Sequence, residues 1–182
     1  MNYLNFSFIT GLSAVFYGLF QTWRIMKLPR GEKAMTEISD AIAEGASAYL
    51  RRQSKILFIV ALIIFVIIWM FIGQLSAQAF AIGASFSALA GFIGMNVAVR
   101  TNVRCTQAAK KGLKAALSVG FAGGSVTGLM VAGLAQLSVS IVFFLITSQH
   151  FILNLSPLIS LGFGGSLISV FARLGGGIYT KG

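Results

Sequence analysis

Residues 56–72 read ILFIVALIIFVIIWMFI, an unbroken apolar run with Arg51, Arg52 and Lys55 just before it. Crossing about 30 Å of hydrocarbon takes roughly 20 apolar residues in a helix, and this run with its flanks is long enough. A helix apolar all round lies either deep inside a large protein or in lipid. Here only 10% of 182 residues are charged, against about a quarter in soluble domains. So few charges cannot cover a wet surface, and the fold class expected is an all-α integral membrane protein.

Five spans follow from the apolar runs, at about 3–22, 54–73, 77–99, 116–146 and 157–181. The first lacks the basic start of a cleavable signal peptide: MNYLNFSF is uncharged, and Arg24, Lys27, Arg30 and Lys33 come after the span. The connection between spans 1 and 2 also holds Arg51, Arg52 and Lys55, and that between spans 3 and 4 holds Arg100, Arg104, Lys110, Lys111 and Lys114. The two alternate connections, 2–3 and 4–5, hold no Lys or Arg. Because basic residues stay in cytoplasmic loops, the pattern predicts a multi-pass chain with its N-terminus outside.

The same rule accounts for the formal charge of +10, from 14 Lys+Arg against 4 Asp+Glu. No basic patch is interleaved with stacking aromatics as single-strand binding requires, so the partner expected is the lipid bilayer and not nucleic acid. One cysteine, Cys105, and one histidine, His150, exclude an intrachain disulfide and a Cys/His metal cluster. Cys105 reads as a free thiol in a cytoplasmic loop and His150 as an interfacial polar residue.

Segment 35–52 has helical spacing, with Ile38, Ile42 and Tyr49 on one face and Glu37, Asp40 and Glu44 opposite. It reads as a cytoplasmic amphipathic helix. These three acids and Glu32 are all the carboxylates of the sequence. Paired acids serve acid/base chemistry or divalent metals, but at i, i+3 and i+7 on an amphipathic surface a solvated helix face is the better reading. In span 3, Gly83, Ser87 and Gly91 recur every fourth residue, as do Gly120, Gly124, Gly128 and Ala132 in span 4. Small residues at this spacing allow close backbone approach. Spans 3 and 4 are therefore expected to pack on protein, with Asn96, Thr127 and Gln136 available for interhelical hydrogen bonds, and the bulky span 2 to face lipid.

No phosphate loop is present. Gly162-Phe-Gly164-Gly165-Ser-Leu167 has leucine where the dinucleotide fingerprint needs its third glycine, and no GxxxxGK[ST] occurs. The chain ends FARLGGGIYTKG. In a continuous helix Arg173 and Lys181 would be about 12 Å apart along the axis and roughly 80° around it. An arginine within a span either faces a water-filled cavity or a partner acid, or snorkels to the interface while Gly175, Gly176 and Gly177 end the helix.

Three segments carry a resemblance: EGASAYLRRQ from Glu44, AGFIGMNVAVRTNVR from Ala90, and GFGGSLISVFARLGGGIYTK from Gly162. In register over nearly the whole chain, they resemble membrane-integral inorganic pyrophosphatases that translocate protons or sodium. The resemblance implies the first part of a sixteen-helix bundle and a homodimer. It implies hydrolysis of cytosolic pyrophosphate with Mg2+, outward cation transport and a place in the bacterial inner membrane. K+ is left as a second candidate cofactor. It further implies that Arg173 is the arginine of the ion-conducting gate and that Lys181 contacts pyrophosphate.

The departure lies in the acids. Two-metal hydrolysis needs several converging carboxylates, and no acid follows Glu44. The expectation is the N-terminal portion of a pyrophosphate-energised pump, inactive alone, with no catalytic or metal residue of its own and a missing C-terminal portion as partner. The alternative is a non-enzymatic membrane protein, either half of a split pump or a decayed remnant. A small five-span transporter working through Arg173 has little support.

Overall fold

The computed structural model describes residues 2–148 and 155–178, and His150 and Lys181 lie outside them. The described residues form five helices and no strand: α1 (Asn2–Met26), α2 (Lys33–Phe71), α3 (Gln74–Ala109), α4 (Leu113–Ser148) and α5 (Ser156–Ile178). Four of them, α1 to α4, are long and apolar enough to cross a membrane; the apolar stretch of α5, Ser156–Ser169, is shorter.

The helices outrun the spans read from hydropathy. α2 joins the amphipathic segment and the second span into one helix of 39 residues, about 58 Å long at 1.5 Å per residue. Nothing between Tyr49 and Ile56 breaks it, because Leu-Arg-Arg-Gln-Ser-Lys contains neither Gly nor Pro. Its excess over about 30 Å of hydrocarbon carries the charged first half out of the apolar layer. α3 likewise continues to Ala109, so Arg104 and Cys105 lie on helix and not in a loop. The thiol donates to the Ala116 carbonyl at 3.3 Å.

What remains between helices is short. Gly73 (φ 131°) turns the chain from α2 into α3, and Gly112 (φ 111°) turns it from α3 into α4. Both angles lie where only glycine is unstrained.

α3 is the shared partner of the bundle, packing on α2, α4 and α5. Its tightest contact is with α5. A Cβ added at Gly83 would collide with the Leu161 carbonyl oxygen, and one added at Gly164 would collide with that of Phe80. Backbone thus lies directly on backbone from both sides, and Ser87 Oγ donates to the Gly165 carbonyl at 3.0 Å. The contact advances from Leu161 beside Ala79 to Gly165 bonded by Ser87, so α5 runs parallel to α3. Lipid supplies no hydrophobic drive between helices, so dispersion at such close approaches must hold them together.

The α3–α4 seam uses glycine against threonine. A Cβ on Gly94 would lie 2.9 Å from Thr127 Cγ2, and one on Gly123 would lie 2.6 Å from Thr101 Cγ2. Between α1 and α4, Gly133 faces the Gly11 carbonyl, and a Cβ on Gly133 would fall 2.9 Å from that oxygen. Gln136 Nε2 donates to Thr10 Oγ1 at 2.6 Å, and Ser7 Oγ and Ser140 Oγ share a hydrogen at 2.7 Å. Asn96, by contrast, bonds within its own helix, to the Phe92 carbonyl.

The small-residue stripes fare unevenly. Gly83 and Ser87 are at the α5 contact as their spacing suggests. In α4, however, Gly124 and Gly128 meet nothing and Ala132 is exposed. Gly123 and Gly133, on another face, make the contacts. The contrast between bulky and small spans holds: 6% of the apolar window of α2 is buried, against 44% in α4.

Gly83→Ala and Gly164→Ala should each destabilise the bundle by about 1–3 kcal/mol, the usual cost of overpacking, although alanine is the better helix former. Gly124→Ala and Gly128→Ala should be neutral or stabilising. Unfolding midpoints in mixed micelles of the four variants check the contrast.

Candidate functional site at the charged end of the bundle

Both basic connections meet at one end of the molecule. Lys110 Nζ lies 2.5 Å from Glu32 Oε1, Arg30 pairs with Asp40, and Lys33 lies 3.9 Å from Glu37. Three of the four carboxylates are thereby engaged on an exposed surface, as expected for a solvated helix face. The Lys110 ammonium, by hydrogen bond and charge, holds the Glu32 carboxyl below its ordinary value.

Arg104 is different in kind. Only 7% exposed, it projects from α3 into the end of α1. Its Nη2 donates to the Met26 carbonyl at 3.0 Å and its Nε to the Leu28 carbonyl at 3.2 Å. Nη1 donates to the Arg100 carbonyl of its own helix at 2.6 Å. The last four carbonyls of a helix have no intrahelical donor, and a cation there also meets the negative end of the helix dipole. Arg104 is thus the cap that fastens the end of α1 to α3. In the sequence it stands only as one of the topology charges, and no local spacing distinguishes it from Arg100.

Arg173 and Lys181, the site residues that the family resemblance implies, lie on α5 and beyond it. Because α5 runs parallel to α3, its backbone carries position 173 towards this charged end. Helix persists through Gly175, Gly176 and Gly177 to Ile178, so the three glycines do not end it. Of Arg173 the structure describes the backbone, and Lys181 lies outside the described residues.

The family described as inorganic H+ pyrophosphatase matches residues 12–182 of this chain. The chain belongs to that family. It is 42% identical over 175 residues to a K(+)-insensitive pyrophosphate-energized proton pump of Methanosarcina mazei, covering 95% of this chain and 25% of that protein. It is 41% identical to pump 2 of that name from Moorella thermoacetica, over 94% of this chain and 25% of the relative. The Pyrobaculum aerophilum pump is 39% identical over the whole of this chain and 26% of its own length. The chain therefore spans about a quarter of the curated relatives it matches, in keeping with the N-terminal portion expected from the sequence. It is a multi-pass membrane protein of the pyrophosphatase family.

Replacing Arg104 by Met removes charged hydrogen bonds worth about 1.5–3 kcal/mol each, and Lys, a point donor without the guanidinium fork, should restore little. Breaking the exposed Glu32–Lys110 pair with Glu32→Gln should cost far less than the loss of Arg104, because the pair is screened by water. With its folded pKa lowered, Glu32 contributes stability that is present above the ordinary carboxylate range and is lost as pH falls through the lowered value. Unfolding midpoints of the three variants at neutral and acid pH measure these differences.

Proposed function

We propose that these residues are the N-terminal part of a cation pump that couples pyrophosphate hydrolysis to outward transport of protons or sodium. The observation that carries this is similarity over 95% of the chain to a pyrophosphate-energized pump, with the family match at residues 12–182 taking in the whole of α5. Arg173 is the positive charge on the ion path. A fixed cation within a span raises the barrier to a passing cation unless an acid partner compensates it, which is the property a gate needs. Lys181, eight residues further on in sequence, supplies an ammonium to a phosphate oxygen at the cytoplasmic end, as clustered phosphate charge demands.

The acids of this segment do not fit a magnesium site. Glu32 and Asp40 are taken by Lys110 and Arg30, and among the described residues no three His, Cys, Asp or Glu side chains converge. In this reading Mg2+, and K+ where it is used, are held outside these 182 residues. The homodimer, too, belongs to the longer protein. The N-terminus faces outward, on the strength of the charge asymmetry of the connections.

Membranes carrying the 182-residue chain alone should show no Mg2+-dependent pyrophosphate hydrolysis above a vector control; hydrolysis by this chain would overturn the assignment of the acids to a missing portion. Orientation is tested in a Cys105→Ser background. An impermeant maleimide should label Gln74→Cys on intact cells and Lys111→Cys only after permeabilisation, and the reverse order would invert the topology.

A further inference from the structure

α1 and α4 pack along their length. Backbones meet at Gly11 and Gly133, and in the middle the wholly buried Met130 lies against Gly18. Towards the charged end Ile25 is buried with Val126 of α4, and Ala122 packs against them. Beside this contact lies a groove of about 460 Å³ at the charged end, whose walls include Tyr17, Gln21, Arg24, Ser118, Phe121 and Ser125.

The groove is open to the outside, since Phe121 is 81% exposed and Tyr17 and Arg24 are exposed as well. Its lining is mixed in chemistry. Phe121 and the ring of Tyr17 are apolar, Gln21 and the two serines are polar, and Arg24 stands in the last turn of α1 at the mouth. Lys114, one helical turn before Ser118, extends the cationic edge by register. None of the chain's four acids pairs with Arg24 or Lys114: the ion pairs formed among the described residues use Arg30, Lys33 and Lys110. Arg24 thus has no counter-charge among the described residues, and it stands beside an apolar trough.

An independent marker fixes the depth. Trp23, next to Arg24, is exposed, and the Lys27 ammonium lies over its ring at 3.4 Å from the centroid. Tryptophan and lysine together mark the headgroup layer of a bilayer. A basic pocket between transmembrane helices at that depth takes an anionic lipid headgroup.

We propose that the groove between α1 and α4 seats one anionic phospholipid of the leaflet at the charged end. The phosphate lies on Arg24, within reach of Gln21 and Ser118, and an acyl chain runs along Tyr17 and Phe121. Guanidinium offers the phosphate two parallel donors, and the acyl chain fills space that the small residues of α4 leave open. The proposal needs only the membrane placement of the chain and is independent of its role in pyrophosphate hydrolysis.

Trp23 supplies the readout. The sequence has two tryptophans, so Trp69→Phe leaves Trp23 alone. The 182-residue chain with that change is reconstituted in phosphatidylcholine vesicles containing rising fractions of dibrominated phosphatidylglycerol or dibrominated phosphatidylcholine. Brominated phosphatidylglycerol should quench Trp23 more strongly at equal mole fraction, by a relative association of about fivefold per engaged basic residue. Arg24→Gln should abolish the excess. Ser118→Phe, which fills the groove and keeps the charge, should abolish it too. Arg52→Gln, an exposed arginine of α2 outside the groove, should leave it intact. Equal quenching by the two lipids overturns the proposal. So does an excess that survives Ser118→Phe, or one that Arg52→Gln removes as fully as Arg24→Gln.

Discussion

The contact of α3 with α5 at Gly83 and Gly164 is the interaction on which the arrangement of the bundle most depends. In water, burial of apolar side chains would bring the two helices together whatever their sequence detail. In lipid the tails are as apolar as the side chains, and only dispersion and hydrogen bonding at close range distinguish the packed from the separated state. A carbonyl of each helix fills the place where the other would carry a Cβ. This mutual fit sets the register and the parallel direction of α5, with Ser87 adding a hydrogen bond to the Gly165 carbonyl. Everything borne by α5, including the backbone at Arg173, is positioned from α3.

A second constraint operates at the charged end, where the physics is that of an interface. Arg104 satisfies carbonyls at the end of α1 that the helix itself leaves without donors, and it is buried in doing so. The Glu32–Lys110 and Arg30–Asp40 pairs lie around it in water, where screening leaves each pair little strength. The glycine contacts of α3 with α4 and of α4 with α1 hold the helices within the apolar layer, and Arg104 ties α1 to α3 directly outside it. The α1–α4 groove lies between these two regimes. It lies beside the packed α1–α4 contact, with Arg24 exposed in its lining.

Much of the fold was legible because lipid simplifies the problem. Apolar length alone marks a span, so five helices could be drawn, and the contrast between bulky α2 and small-residue α4 told which would be covered. Legibility failed where helices run on beyond the hydrocarbon. Hydropathy ends at the interface, but hydrogen-bonded helix does not, and so the amphipathic segment and second span proved to be one α2, and Cys105 proved to be on α3. It failed again in α4, where Gly124 and Gly128 of the regular stripe meet no neighbour, Ala132 is exposed, and Gly123 and Gly133 make the closest contacts. Every face of α4 is rich in small or apolar residues, so periodicity names a possible face without saying which one a neighbour takes.

The candidate site divides in the same way. By itself the sequence determined that this chain is a multi-pass member of the pyrophosphatase family, that twelve of its fourteen basic residues fall between spans 1 and 2 or spans 3 and 4, and that its four acids are confined to the segment from Glu32 to Glu44. Each of these depends on residue identity along the chain and on nothing distant. Only the tertiary structure decided which arginine is buried as a helix cap and which stands beside a groove. It also decided which glycines of a glycine-rich sequence are contact points. A charge or a missing Cβ acquires its role from the atoms opposite it, and those come from helices many residues away.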